Sequence, residues 1–493
     1  MTGAELITLA LLIPLAGAVG IAVTGRFPNL RETVTLVTAV ALCATVLSIL
    51  PLVQAGERPA LDVVSLFPGV DMIFRIEPLG MLFGIIASSL WIVNSIYSIG
   101  YMRGNKEQRQ TVFYVCFSIA IFGAVGVAFA GNLLTLFLFY EILTISTYPL
   151  VTHKANAEAK ASGRVYLLIL MGTSMMLLLP AIIWVLVEAG TTNFTPGGLL
   201  VNTTLSTGMI GLMLALFIFG IGKAAVMPVH SWLPAAMVAP TPVSALLHAV
   251  AVVKAGVFTV VKVVVYIFGV DFLATSGAGD WLTYVAGFTV IAASVIALMQ
   301  DNLKRRLAYS TISQLSYIVL ATAILTPISM IGAMLHIAMH AVSKITLFFA
   351  AGSIYTAAHK TEISQLDGIG RLMPWTMGAF AVGSLSMIGV PPTAGFISKW
   401  FMLSGGMESE NWVAVGVIFL STVLNACYFL PIVYRAFWRA PSEQDNHPPA
   451  HGEGPAPVVL ALTITALGVL ALFFFPDVPL GLAEAMMAEE IAR

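Results

Sequence analysis

An all-α integral membrane fold of fourteen transmembrane helices is the fold class this sequence predicts. Composition is the first reason. The 493 residues are 59% hydrophobic and only 10% charged, with a mean hydropathy of +0.95, which excludes a water-soluble domain. The second reason is spacing. Apolar segments of about 20 residues recur from end to end, each long enough to cross a roughly 30 Å hydrocarbon core. Lipid offers the backbone no hydrogen bonds, so such segments form helices or a closed barrel. Continuous apolar runs, in place of ten-residue alternation, select helices.

The spans fall at about 4–24, 32–54, 77–100, 111–130, 132–151, 164–188, 208–239, 242–267, 281–300, 306–325, 328–357, 374–405, 411–437 and 456–475. The first has acidic Glu5 ahead of it and no basic stretch, so it reads as a retained helix, not a cleaved signal. Positive charge tests the count. Arg26 and Arg31 follow helix 1; Arg103, Lys106 and Arg109 follow helix 3; Lys154, Lys160 and Arg164 follow helix 5. Lys304, Arg305 and Arg306 follow helix 9, Lys360 and Arg371 follow helix 11, and Arg435 and Arg439 close helix 13. The even-numbered loops hold only Arg58 and Arg75, both between helices 2 and 3. A miscounted span would scramble that alternation. By the positive-inside rule the odd loops are cytoplasmic and both termini face outward, as expected of a multi-pass protein of the bacterial inner membrane.

Helices 7 and 12 are too long and each is interrupted by proline. Helix 7 carries Lys223 and then Met227-Pro228-Val229-His230-Ser231-Trp232-Leu233-Pro234; helix 12 carries Gly389-Val390-Pro391-Pro392-Thr393-Ala394-Gly395 and then Lys399. Proline removes a backbone donor and clashes with the preceding turn, so each helix should split. Broken helices at membrane depth are tolerated where the freed backbone lines a polar cavity; kinks without function are the plainer reading. Helices 7 and 12 are five apart, an odd number, so they run in opposite directions, the mark of an inverted repeat of helices 4–8 against 9–13. The expected organisation is a three-helix segment over 1–110, repeats over 111–267 and 281–437, and a C-terminal helix and tail over 438–493.

Charged residues inside apolar spans carry the functional signal. Glu141, Lys223, Lys254, Lys262, Lys344 and Lys399 all lie in such runs, and an ionised side chain at the bilayer centre costs roughly 2.5–3.5 kcal/mol on insertion scales. Glu141, in the middle of helix 5, is either a carboxyl bonded to Thr144 or Tyr148 or a partner for a lysine. Lys223 lies a turn before Pro228, and Lys254 is near the midplane of helix 8. Lys262 falls toward the outer end, where a long side chain can snorkel to the headgroups, and that reading is preferred. In helix 11, His336, His340 and Lys344 recur every four residues and form one polar stripe. No acid or thiol converges on it, so a proton relay fits better than a metal site. His248 and His230 are either relay members or core histidines. Asp301, Lys304, Arg305 and Arg306 mark a helix end.

Several activities are excluded. Cys43, Cys116 and Cys427 are scattered without a CxxC pair, so no metal cluster or disulfide is expected. There is no GxGxxG fingerprint and no flavin site, so this chain is not itself a redox enzyme and no cofactor is expected. A net charge of −1 gives no reason to expect nucleic acid.

A glutamate in helix 5, lysines in broken helix 7 and in helix 8, and a lysine in broken helix 12 resemble the proton-conducting antiporter-like family. It includes the large subunits of Mrp-type monovalent cation/proton antiporters and the antiporter-like subunits of respiratory complex I and membrane-bound hydrogenases. The stretch Gly222-Lys223-Ala224-Ala225-Val226-Met227-Pro228-Val229-His230-Ser231-Trp232-Leu233-Pro234, followed by Ala239-Pro240-Thr241-Pro242-Val243-Ser244-Ala245-Leu246-Leu247-His248, carries the likeness most specifically. The resemblance implies that Glu141 pairs with Lys223, that Lys254 is the central relay lysine and that Lys399 is the terminal proton-transferring residue. Some complex I members have Glu at the last position; Lys there, and an end shortly after helix 14, resemble Mrp D subunits. The implied partners are other membrane subunits of a hetero-oligomeric antiporter or redox complex, protons, a monovalent cation and the lipid bilayer.

Lysine suits such a relay because burial and a nearby carboxylate decide whether it keeps its proton. At an effective dielectric near 20, a pair about 4 Å apart interacts by roughly 4 kcal/mol. The expected route is cytoplasmic uptake, storage on Lys223, transfer to Lys254, passage along His336, His340 and Lys344, and exit from Lys399. A pump subunit of a redox complex and a non-conducting scaffold are the alternatives.

Overall fold

Helices make up nearly all of the chain in the computed structural model, which describes residues 1–67, 70–440 and 452–491. Five come first: α1 (Gly3–Val23), α2 (Pro28–Gln54), α3 (Pro78–Gly104), α4 (Gln110–Phe129) and α5 (Leu133–Val151). They are followed by α6 (Ala157–Ala189), α7 (Thr207–Gly220) and α8 (Thr241–Phe268). Then come α9 (Asp280–Met299), α10 (Leu303–Ala323), α11 (Pro327–Ala358), α12 (Pro374–Ile388) and α13 (Ala394–Glu408). The last three are α14 (Trp412–Trp438), α15 (Ala456–Phe474) and α16 (Asp477–Ile491).

Eleven of these helices are long and apolar enough to cross a membrane. The other three expected spans are helical as well but fall outside that count. Span 208–239 is α7 plus broken segments, span 374–405 is the pair α12 and α13, and span 306–325 is α10. In α10 the polar residues Ser310, Thr311, Ser313, Gln314 and Ser316 are all buried, so it is a helix that faces its neighbours and not lipid. Polar capping explains several starts. Asn132 accepts from the Thr135 amide at α5 (2.8 Å), and Asn156 accepts from Ala159 at α6, starting that helix ahead of the expected residue 164. Side-chain caps of this kind satisfy amides the first turn leaves free.

Two elements were not expected. An antiparallel hairpin, β1 (Ala60–Phe67) with β2 (Val70–Arg75), occupies the connection between α2 and α3. It docks on the start of α5, where Asn132 donates to the Asp71 carbonyl (2.6 Å) and Thr135 accepts from the Ile73 amide (3.0 Å). The C-terminal helix α16 is tied down by Glu490, whose carboxylate accepts from the amides of Gly197 and Val270 at 2.8 and 3.0 Å, and by an Arg58–Glu489 ion pair. The rest of the expected C-terminal segment, residues 441–451 and 492–493, lies outside the described residues.

The core is built around α8 and α11. Every residue of the most apolar window of α8 is buried, and nearly every one of α11, whereas α1, α2, α14 and α15 keep most of theirs outward. His248, Lys254, His336, His340 and Lys344 therefore ride on the two innermost helices.

Candidate functional site

Helix α7 ends at Gly220 and is followed by a single tight turn, Gly222–Ala224, before Pro228 blocks its continuation. Trp232 folds back so that its indole N–H donates to the Gly222 carbonyl at 3.0 Å, which also accepts from the Ala225 amide. Lys223, in this turn, is fully buried. Its ammonium donates to the Tyr140 carbonyl (2.8 Å) and to Thr144 Oγ1 (2.6 Å) on α5, and it lies over the Tyr140 ring. Glu141 is buried beside it and within electrostatic reach. Neither of its carboxylate oxygens has a hydrogen-bond partner among the described residues. The structure thus brings Glu141 and Lys223 together without a direct bond, and Thr144 supplies the contact the carboxylate does not.

The broken turn packs directly on α8 at Gly256. A Cβ added there would collide with the backbone of Lys223 and Ala224, so only glycine permits the approach. Two residues before it, Lys254 is fully buried, with its Nζ 2.6 Å from Nδ1 of His340 on α11.

The stripe on α11 exists as expected, but its members face different partners. His336 reaches Ser398 Oγ at 2.8 Å with Nδ1 and Gln314 Oε1 at 3.0 Å with Nε2, and its ring stacks on that of His340 with centroids 5.7 Å apart. Lys344 donates to Ser310 Oγ at 2.9 Å. Ser310 also accepts from Tyr428 at 3.0 Å, and Tyr428 is hydrogen-bonded to Asn425. Asn425 makes a longer contact, 3.4 Å, to the Met387 carbonyl. That same carbonyl accepts from Lys399 at 2.8 Å, as Ile388 O does at 3.0 Å. Lys399 thereby satisfies carbonyls left free where α12 ends. The second break is as tight as the first: a Cβ on Gly395 would strike the Ser386 carbonyl.

His336 thus reaches Ser398, the residue before Lys399, and a hydrogen-bonded series from Lys344 through Ser310, Tyr428 and Asn425 ends at the Met387 carbonyl that Lys399 also binds. Ser310, Gln314, Tyr428, Asn425 and Ser398 had not been singled out from the sequence, and Thr144, named there as a partner for Glu141, accepts from Lys223 instead. The signal for the first two was present in the hydroxyl- and amide-rich α10, whose polarity is unexplained by a lipid-facing helix.

His248 is fully buried against the Phe348 ring, centroids 4.7 Å apart, with both ring nitrogens unpartnered among the described residues. His230 only turns back on its own Pro228 carbonyl at 3.2 Å. Lys262 departs from expectation. It does not snorkel: it is fully buried, its Nζ lies 2.8 Å from Glu77 Oε2, and it donates to the Ala130 carbonyl at 2.7 Å. The connection between α4 and α5 and the residue before α3 fold over the end of α8, which shuts off the route to the headgroups. Among the described residues no three His, Cys, Asp or Glu side chains converge as a metal site would require.

The comparisons follow the same lines. A family model described as NADH:quinone oxidoreductase/Mrp antiporter, TM, matches residues 130–425. NADH-quinone oxidoreductase subunit N of Desulforudis audaxviator is 30% identical, over 83% of this chain and 83% of its own. Subunit L of Rickettsia felis is 33% identical over 73% of this chain, which spans 56% of that relative's length. A putative antiporter subunit of Staphylococcus aureus is 27% identical over 83% of this chain and 53% of its own. Among solved structures, a chain of the Mrp complex of a Dietzia species superimposes with a TM-score of 0.86 at 21% identity, over 99% of this chain and 97% of that one. A chain of an archaeal membrane-bound sulfane sulfur reductase does so at 0.86 and 22%, over 98% and 97%. At such identities the structural likeness speaks for the fold alone.

Proposed function

We propose, from the premise that this chain belongs to the NADH:quinone oxidoreductase/Mrp antiporter membrane family, that it is the proton-translocating subunit of a multisubunit cation/proton antiporter. The observation that carries this reading is the buried series of ionisable and hydroxyl groups. It runs from Glu141 and Lys223 through Lys254 and His340 to Lys344, Ser310, Tyr428, Asn425 and Lys399. A chain that only held a complex together would have no use for six buried titratable groups at the bilayer centre.

In this mechanism Lys223 stores a proton while Glu141 is near and loses it when the pair opens. Lys254 and His340, 2.6 Å apart, share one proton, since two positive charges in that contact would repel. From there the proton would pass along His336 and Lys344 toward Lys399, with water completing the last step, because the Asn425 amide and the Met387 carbonyl position Lys399 and cannot themselves carry a proton. The two breaks stand in corresponding places of an inverted repeat, over 111–267 and 281–437, within fourteen crossings, with both termini outside the cytoplasm of a bacterial inner membrane. The position of Lys399 favours a D-type antiporter subunit, and the exchanged ion would be a monovalent cation handled with partner subunits.

A second reading has its own support. Subunit N of a quinone oxidoreductase matches this chain over most of both lengths, so a proton-pumping subunit of a redox complex remains the alternative. The deciding experiment is proton movement in vesicles holding the intact assembly. Movement driven by an imposed sodium or potassium gradient supports the antiporter; movement only on quinone reduction supports the pump.

A further inference from the structure

Helices α9, α10 and α14 share a seam whose serine hydroxyls have no part in the series described above. It starts at a cavity of about 470 Å³ on the face away from the positive loops. Asp280 and Glu410 are charged side chains on its walls, and no lysine or arginine lines it among the described residues. Thr283 and Asn411, also on its walls, stand 3.5 Å apart. Below them the same helix faces continue at helical spacing, with Gly287, Val290 and Ser294 on α9 and Ile418, Ser421 and Asn425 on α14. Gly287 packs so closely that a Cβ there would lie 3.1 Å from Val417. A tight apolar layer thus separates the cavity from the hydroxyls beneath it.

About 16 Å further along α9 than Thr283, hydroxyl oxygens from three helices converge. Ser294 Oγ donates to the Val290 carbonyl at 2.8 Å, so it accepts from Ser313 Oγ at 2.9 Å, and Ser421 Oγ stands 3.4 Å away. The Tyr317 hydroxyl donates to the Ile418 carbonyl at 3.3 Å and faces Ser421, Thr422 and Asn425. Ser294, Ser313, Tyr317, Ser421 and Asn425 are fully buried. A hydroxyl has one hydrogen but two lone pairs. Once the hydrogens are committed to one another and to helix carbonyls, the remaining lone pairs turn inward. Hard cations take such oxygens as ligands, and a set without a carboxylate suits one charge better than two. The titratable and charged groups around the cluster are basic. Lys399 and His336 lie against the Tyr317 ring, Lys344 is on Ser310, and Arg306 donates to the Tyr428 carbonyl at the opposite end of the seam.

Resting on the cation/proton exchange read above, we propose that this hydroxyl cluster binds a monovalent cation, sodium or potassium, which reaches it through the Asp280–Glu410 cavity. Its place beside Lys399 makes the two charges exclusive. A charged Lys399, 4.8 Å from the Tyr317 ring, repels the cation. When Lys399 releases its proton to water, the cation enters the oxygen cluster, and one positive charge replaces another. The two acids at the mouth concentrate cations there, and the Arg306 guanidinium bars the opposite end.

The test measures proton movement driven by sodium or potassium gradients in vesicles of the intact assembly, matched for subunit content. Ser313→Ala and Ser421→Ala each remove one oxygen and little volume. Each should raise the half-saturating cation concentration about tenfold, near the worth of one bond to a charged group. The rate at saturation should stay close to that of the unaltered assembly. Asp280→Asn combined with Glu410→Gln should raise half-saturation only when the cation is supplied on the cavity face. Unchanged half-saturation in either serine variant overturns the proposal. So does a lower rate at saturation with half-saturation unmoved, which a packing role predicts, or an effect of the acid pair that is absent or equal on both faces. If neither gradient drives protons in the unaltered assembly, the exchange reading itself fails. Calorimetric titration of sodium and potassium chloride into the purified assembly then judges the site separately: binding that the serine variants lose supports it, and binding they keep, or none, overturns it.

Discussion

Lys254 Nζ and His340 Nδ1 lie 2.6 Å apart and join α8 to α11 at the centre of the fold. Each is wholly buried, and His340 Nε2 has no partner among the described residues. A contact this short between two basic groups disfavours a positive charge on both, so the pair is expected to take up one proton at most.

Removing either member should therefore have the same effect as removing both. Lys254→Ala, His340→Ala and the double variant are each expected to lower proton flux by about a hundredfold, with no further loss in the double. Residues acting as a unit give such non-additive cycles. Flux measured in vesicles with equal subunit content checks this, and additive losses would separate the two into independent carriers.

Glu141 and Lys223 call for a different pattern. Lys223 already has Tyr140 O and Thr144 Oγ1 as partners, so Glu141→Ala does not strip it of hydrogen bonds, and the assembly should survive while transport stops. Thr144→Val removes one acceptor but leaves the carboxylate, and should slow flux by about tenfold, near the worth of one hydrogen bond to a charged group. Equal flux in Glu141→Ala and the unaltered assembly would end the role of the pair.

Much of this arrangement was legible before the structure. The broken helices, the buried charges and the i, i+4 stripe on α11 follow from composition and periodicity, because lipid makes every buried charge conspicuous. What could not be read was pairing across helices. Ser310 looks like any helix serine until α10 turns it toward Lys344, and Tyr428 lies 118 residues away from it. The hairpin over Ala60–Arg75 escaped because its short alternating run sits in a connection between two long apolar helices. Lys262 was misread for a related reason: its place near a helix end is a one-dimensional fact, while the Glu77 contact that keeps it inside depends on how the α4–α5 connection folds back.

That correction reverses an expectation. Lys262→Gln should be costly, because Glu77 would be left buried without its counter-charge, a loss of about 3–5 kcal/mol. The expected outcome is less assembled complex in the membrane. Replacing both residues by leucine should recover much of the loss, since an apolar pair avoids the desolvation of two ions. Normal assembly with Lys262→Gln would show that the contact adds nothing.

Outside the membrane, Asp367 in the connection between α11 and α12 gives a pH-dependent contribution. Hydrogen bonding to Arg435, at 2.7 Å, holds its carboxyl below the usual range, and the Arg435 and Arg439 charges add to this. A carboxyl whose value is lower folded than unfolded stabilises the fold above the ordinary aspartate range, about 3.9, and that stability is lost as pH falls through the folded value. For a partly exposed pair the effect is about 0.5–1 kcal/mol. Asp367→Asn should therefore lower thermal stability slightly at pH 7, and the two proteins should converge in acid below the usual aspartate range. A difference that persists unchanged into acid would assign the effect to something other than the carboxylate.

Lys399 separates charge from proton transfer most cleanly. Its ammonium donates to Met387 O and Ile388 O at the end of α12, and it lies over the Tyr317 ring at 4.8 Å. An arginine offers more donors to the same two carbonyls and can keep the ring contact, so Lys399→Arg should preserve the break and the assembly. It does not give up its proton at any accessible pH, so transport should fall to background. Lys399→Glu presents the opposite problem. An ionised carboxylate would face two carbonyl oxygens, so it must enter as the neutral acid and donate to one of them. It can still pass a proton, and some activity is expected where arginine has none. Proton flux in vesicles matched for subunit content distinguishes these cases. Full transport by Lys399→Arg would mean that a fixed charge at this carbonyl cap is enough, and Lys399 would then hold the broken helix together without carrying the proton.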